Sequence, residues 1–317
     1  MMADADVPPA GFPRTVRVVE VGPRDGLQNE PGVVPVGEKV AFIEALAEAG
    51  LPVIEAGAFV RADRVPQMAD SGEVFRRLRR RPATVYTALV PNLRGLERAA
   101  AAGARSVAVF AAASQAFARA NLGMSIAESL RVFTEVTREA VRGGLTVRGY
   151  VSTAWWCPYS GRVNPDDVRT VAGDLIEMGC ADVSIADTIG AATPAEVRSL
   201  LELLLRDIPA GRIGVHFHDT RGTALANVLA SLELRIGTVD ASAGGLGGCP
   251  FAPGALGNLA TEDLLYMLHG MGVGTGVDLE RVRAASIRME SVLRRPSPSR
   301  YVRAGPPGVR PAPASPA

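Results

Sequence analysis

From residue 15 the chain alternates short runs of β-branched and apolar residues with longer stretches whose apolar positions recur at helical spacing. Eight runs have the length and composition of strands: 15–22 (TVRVVEVG), 52–57 (PVIEAG), 84–90 (TVYTALV), 106–112 (SVAVFAA), 146–152 (TVRGYVS), 182–187 (DVSIAD), 212–218 (RIGVHFH) and 238–245 (TVDASAGG). The stretches 37–50, 126–144, 194–208 and 222–237 read as helices between them, and 260–272 and 278–295 add two more after the last strand. Strands alternating with helices predict a parallel sheet with crossover helices. An open doubly wound sheet also fits the alternation, but its dinucleotide-binding form has a glycine fingerprint after the first strand, where this chain has GPRDG. A closed barrel needs about 250 residues, which the chain supplies. The expected fold is therefore α/β: a (β/α)8 TIM barrel with its C-terminal helices in a single domain over 14–295. A flexible tail over 1–13 and a disordered Pro-rich tail over 296–317 are expected to flank it.

Composition removes several functions. With 34 Lys and Arg against 33 Asp and Glu, the chain has no charge excess suited to nucleic acid. No run of about 18 apolar residues is present to cross a bilayer. The first residues, MMADADVPPAGF, lack the basic and apolar regions of a secretory signal. Cys157, Cys180 and Cys249 are odd in number and widely spaced, which argues against a disulfide framework and for the cytoplasm. All but one of the basic residues are arginine. The exception, Lys39, lies in the first turn of an expected helix and is poorly placed for Schiff-base chemistry.

In (β/α)8 barrels active sites form at the carboxyl ends of the strands. Arg24 and Asp25 follow the first expected strand, Glu55 and Asp187 lie at or near the ends of the second and sixth, and His216 and His218 sit at the end of the seventh. Alternate strand residues share a face, so both imidazoles are expected at the barrel mouth with Phe217 turned outward. Two histidines with Asp25 and an amide make a mixed nitrogen and oxygen site suited to Mg2+ or Mn2+. Asp25 also fits a turn residue before glycine, and Asp187, in ADTIG, a loop cap. Glu55 on an otherwise apolar strand requires a functional or ion-paired role. His269, at the end of a helical run, reads as an ordinary helix-terminal histidine. The segment 244–258, with six glycines, suits a mobile cover, on which Cys249 is a candidate proton donor.

Three motifs, VEVGPRDGLQNE (19–30), HFHDTRG (216–222) and GGLGGCPFAPGALGNLATEDLLYML (244–268), resemble the 3-hydroxy-3-methylglutaryl-CoA lyase family of metal-dependent (β/α)8 metallolyases. The resemblance implies retro-Claisen cleavage of an acyl-CoA substrate to acetyl-CoA and acetoacetate. It implies a divalent cation, Mg2+ or Mn2+, held by Asp25, His216, His218 and Asn258. Arg24 would then steady the enolate oxygen, Glu55 and Asp187 would serve the substrate hydroxyl and its proton, and Cys249 would protonate the carbanion. Gln28, Tyr150 and Ser184 would line the substrate pocket, and Asn121 would lie near the CoA tail. A homodimer or higher homo-oligomer is the assembly usual among such proteins. The chain departs from the pattern at Ala58, where serine is usual, at Ala186, where glycine is usual, and at Trp155 and Trp156, a pair expected at the mouth where they would alter the pocket. Two further readings accompany the lyase: an aldolase or Claisen-type condensing enzyme acting on another acyl-CoA or 2-oxo acid, and a non-catalytic ligand-binding barrel.

Overall fold

The computed structural model describes residues 11–248 and 257–308. All eight expected strands are present: β1 (Arg17–Glu20), β2 (Val53–Ala58), β3 (Val85–Leu89), β4 (Ser106–Ala112), β5 (Thr146–Ser152), β6 (Asp182–Asp187), β7 (Ile213–Phe217) and β8 (Thr238–Ala241). Each pairs in parallel with the next, and β8 closes onto β1 with Arg17 opposite Thr238. The result is a closed eight-stranded barrel. Apolar side chains such as Val18, Ile54, Val107, Val215, Phe217 and Val239 are fully buried in the main hydrophobic core.

The surrounding helices include α1 (Val36–Glu48), α2 (Ser71–Arg77), α3 (Leu93–Ala101), α4 (Gln115–Leu122), α5 (Ile126–Arg142), α6 (Pro165–Glu177), α7 (Pro194–Leu204) and α8 (Ala224–Glu233). Three more follow the last strand: α9 (Thr261–Gly270), α10 (Leu279–Leu293) and α11 (Arg300–Ala304). Two capping arrangements mark helix starts. Ser125 and Glu128 bond reciprocally at α5, and Glu196 accepts from the Thr193 backbone and hydroxyl at α7.

The tail expected from Pro296 is packed as far as Val302. Ser297 and Ser299 are buried, as are Tyr301 and Val302 on α11. Hydroxyl groups explain how so polar a segment packs. The Ser297 hydroxyl donates to the Gly244 carbonyl at 2.6 Å, and the Ser299 hydroxyl donates to Asp263 Oδ1 at 2.8 Å. At the other end Phe12, within the expected N-terminal tail, packs against the core.

Candidate metal centre and active site

The segment after β1 is not a simple turn. Gly22–Gly26 forms a single wide turn of π-helical geometry, in which the backbone N–H groups of Asp25 and Gly26 both reach the Val21 carbonyl. Such turns occur often at functional sites. Space dictates its two glycines: a Cβ on Gly22 would lie 2.6 Å from Glu20 Oε1, and one on Gly26 would lie 2.8 Å from the Leu246 Cβ. The turn brings buried Arg24 and part-buried Asp25 to the barrel mouth as a bonded pair.

The Arg24 Nε donates to Glu55 Oε2 at 2.7 Å and its Nη1 to Asp25 Oδ1 at 2.6 Å. Burial disfavours the guanidinium charge, but Glu55 and then Asp25 outweigh it, so Arg24 is held above its ordinary pKa. Burial also raises the Asp25 carboxyl, and here Arg24 and then the two histidines prevail and pull it down to about 2. Asp25 is therefore an anion at neutral pH. Glu55 is fully buried, its proton affinity raised by burial against the pull of Arg24, and its Oε1 has no hydrogen-bond partner among the described residues.

His216 and His218 lie as the strand alternation requires. Their ring centroids are 5.3 Å apart, and ligand-type atoms from Asp25, His216 and His218 all lie within 4.8 Å of one another. Phe217 points the other way and packs on Trp155, ring centroids 5.7 Å apart. Burial, then the neighbouring His216, pushes His218 down to about 4, which keeps it neutral and able to donate a lone pair. Asn258 completes the cluster. Its amide nitrogen donates to Asp25 Oδ2 at 2.8 Å and to the Leu246 carbonyl at 3.0 Å, which fixes the amide orientation. Its Oδ1 is then buried with no partner among the described residues, as is His218 Nδ1. Buried polar atoms left so are costly. An anionic oxygen, two imidazoles of which His218 is neutral, and an amide carbonyl without a partner among the described residues fit a divalent cation in one place.

Inside the barrel lies a network that sequence reasoning missed. Asp240 accepts from Arg148 Nη2 at 2.7 Å and from the Ser184 hydroxyl at 2.9 Å, and His216 Nδ1 lies 3.3 Å from its Oδ2. Burial raises Asp240, but Arg148 prevails and holds it below the usual carboxylate range. Asp240 sits opposite His216 in the β7–β8 register, so the contact is built into the strand pairing. The available signal was a charged residue within each of two expected strands, Arg148 in TVRGYVS and Asp240 in TVDASAGG. Ser184, expected to line the pocket, is fully buried beneath it and serves Asp240.

Tyr150 is buried beside this network, edge-on to His216, with the Arg24 and Arg148 guanidinium groups within 6 Å of its ring centroid. Gln28 donates to Asp25 Oδ1 at 3.0 Å. Ala58 is buried at the end of β2. Asp187 is also buried, and its two oxygens accept the Ala191 and Ala192 N–H groups at 3.0 and 2.9 Å, the geometry of a loop cap. Asn121 is exposed near the end of α4. Cys249 lies outside the described residues. His269, in the last turn of α9, pairs with the Thr275 hydroxyl, and Lys39 is buried against Asp70, so neither joins the site.

The tryptophans directly follow β5, at the carboxyl end of the barrel. Trp155 is buried in the core, where its Nε1 donates to the Glu196 carbonyl at 3.2 Å. Trp156 Nε1 lies 3.3 Å from Glu196 Oε1, with the Arg162 guanidinium over its ring. Both indoles are tied to the start of α7, and Trp155 also packs on Phe217, the residue between His216 and His218. The reason is the one that turns Phe217 outward: the layer between strands and helices offers apolar surface, and the indole N–H finds an acceptor at the helix start.

A model of the HMGL-like family matches residues 15–288. The chain belongs to the HMGL-like family. The family depends in general on a divalent metal, and the Asp25–His216–His218 cluster gives this member a possible site for one. The chain is 53% identical over 280 residues to hydroxymethylglutaryl-CoA lyase of Pseudomonas mevalonii, covering 88% of this chain and 93% of that one. Among solved structures, hydroxymethylglutaryl-CoA lyase from Pseudomonas aeruginosa superposes with a TM-score of 0.91 at 48% identity, covering 93% and 98% of the two chains. An HMG-CoA lyase from Acinetobacter baumannii in complex with coenzyme A and 3-methylmalate matches with a TM-score of 0.90 at 37% identity, over 99% and 100% of the chains. Animal members include enzymes named as mitochondrial and as cytoplasmic. Among the described residues, no helix is long and apolar enough to cross a membrane.

Proposed function

We propose that this protein is a carbon–carbon lyase that cleaves 3-hydroxy-3-methylglutaryl-CoA to acetyl-CoA and acetoacetate, with Mg2+ or Mn2+ as its cation. The observation that carries the reading is the grouping of Asp25, His216 and His218 within 4.8 Å beside the buried Arg24 guanidinium, with Asn258 Oδ1 free. The names of the similar enzymes support the substrate.

In this cleavage the tertiary hydroxyl loses its proton and the C2–C3 bond of the acyl chain breaks. The bonding pair passes into a thioester enolate, and a proton delivered to C2 completes acetyl-CoA while the other fragment leaves as acetoacetate. A cation held by Asp25, His216, His218 and Asn258 would supply Lewis-acid polarisation of the substrate oxygens. Arg24, its charge secured by Glu55 and Asp25, is suited to the negative charge on the enolate oxygen. Glu55, with Oε1 unpartnered among the described residues and its proton affinity raised by burial, is assigned the hydroxyl proton. Asp187 is assigned the shape of the loop after β6, since both its oxygens hold backbone N–H groups. Cys249 keeps the role of final proton donor that the family resemblance implies. The cytoplasm belongs to the same reading, supported by Cys157 and Cys180, which are buried and free.

The purified protein, supplied with 3-hydroxy-3-methylglutaryl-CoA and Mg2+ or Mn2+, is expected to form acetyl-CoA and acetoacetate in equal amounts and to stop on addition of EDTA. Arg24→Gln is expected to lower kcat by about two to three orders of magnitude, the scale for losing a donor to a developing oxyanion. No product with any divalent ion would overturn the assignment.

A further inference from the structure

The C-terminal segment crosses the carboxyl end of the barrel and grips the connections that bear the metal-ligand cluster. Its contacts fall on the connection after β8, on the start of α9 that ends it, and on the connection after β7. Ser297 bonds the Gly244 carbonyl just after β8, and Pro298 packs close to Gly245. Ser299, Arg300 and Tyr301 together surround the Asp263 carboxylate at the start of α9: the Ser299 hydroxyl and the Tyr301 N–H donate to Oδ1 at 2.8 Å each, and the Arg300 N–H donates to Oδ2 at 3.1 Å. The Arg300 Nη1 reaches Asp219 Oδ2 at 2.6 Å in the connection after β7.

Asp219 is the hinge of the argument because of where it sits. It directly follows His218, and its N–H donates to the Gly257 carbonyl at 2.9 Å, while His218 and Asn258 pair as an isolated antiparallel bridge. Its carboxylate is buried, with Oδ1 taking the Ala224 N–H at 3.1 Å and Oδ2 taking Arg300. One residue therefore joins the backbone carrying His218 to the backbone carrying Asn258, and its side chain is clamped from the C-terminal segment.

We infer that Arg300 is a positioning residue for the metal centre: by holding Asp219 it fixes the spacing of His218 and Asn258. This rests on the assignment of those two residues as ligands. The Arg300 side chain is 57% exposed and that of Asp219 8%, so water can partly replace the guanidinium and the pair adds little to global stability. Its effect is local. Outer groups that orient ligands typically change metal affinity by ten- to a hundredfold.

The test titrates the metal-free full chain with Mn2+, reading affinity by calorimetry and ligand symmetry by the Mn2+ paramagnetic resonance spectrum, alongside thermal melting. Arg300→Ala is expected to weaken Mn2+ binding about tenfold and to broaden the spectrum, with the melting temperature of the metal-free protein unchanged. Arg300→Lys should restore most of the affinity. Tyr301→Phe, which removes only the hydroxyl bond to Glu280, should bind as the unaltered protein does. His218→Ala serves as the reference for ligand loss. If His218→Ala loses Mn2+ while Arg300→Ala binds with unaltered affinity and spectrum, the positioning role is overturned and the ligand assignment stands. If the unaltered protein does not bind Mn2+, or His218→Ala binds it undiminished, both fall.

Discussion

His216 has unequal ring nitrogens. Nδ1 faces Asp240 at 3.3 Å, which leaves Nε2 as the donor for a cation. Asp240 is itself oriented by Arg148 and Ser184, so a chain of contacts across β5, β6, β7 and β8 determines the angle of one imidazole. Asp240→Asn removes the negative charge while keeping the shape. It is expected to weaken Mn2+ binding by about tenfold, measured by calorimetry, with little change in fold by circular dichroism; unaltered affinity would deny Asp240 this role. Trp155 makes a different case, a buried residue packed on Phe217 whose expected role is in the fold. Trp155→Ala is expected to cost about 3–5 kcal/mol in urea unfolding, as for other buried aromatics, while KM for the acyl-CoA stays the same. A raised KM with intact stability would return the indole to the pocket.

At the scale of elements, the sequence was most informative where one period dominated. The eight strands were legible because β-branched runs lie between helical stretches, and their observed bounds differ mainly by trimming of polar or glycine ends, as in Thr238–Ala241 against 238–245. The same alternation placed His216 and His218 on one face and Phe217 on the other. What composition concealed was partnership. Pro, Ser and Gly after residue 296 suggest an unpacked tail, yet Ser297 and Ser299 meet Gly244 and Asp263, partners 53 and 36 residues away that no local pattern reveals. Trp155 and Trp156 follow β5, and their bonds to Glu196 at the start of α7, some 40 residues on, are partners that no local pattern reveals. Asp240 was hidden for the same reason, since its three partners come from three other strands.

Across the whole molecule, buried charge makes stability depend on pH. Glu262 is fully buried, accepts the Gly244 N–H and the Ser286 hydroxyl, and is lifted by burial to about 7 despite those bonds. Glu20, bonded to the Gly22 and Ala243 N–H groups and to Thr261, is likewise lifted to about 7, again chiefly by burial. A carboxyl raised in the folded state favours folding fully below its unfolded pKa near 4.5, and that contribution is lost as pH rises through about 7. Urea midpoints at pH 5 and pH 8 are therefore expected to differ less in Glu262→Gln, which cannot titrate, than in the unaltered protein. An equal difference in both would show that Glu262 titrates alike folded and unfolded.

The proposed cleavage depends most on a cation bound where β1, β7 and the Asn258 segment meet. Anomalous diffraction from crystals soaked in Mn2+ tests this directly. The expected result is one strong peak within bonding distance of Asp25, His216, His218 and Asn258 Oδ1. A map without that peak, with Asn258 still bonded to Asp25, would contradict it.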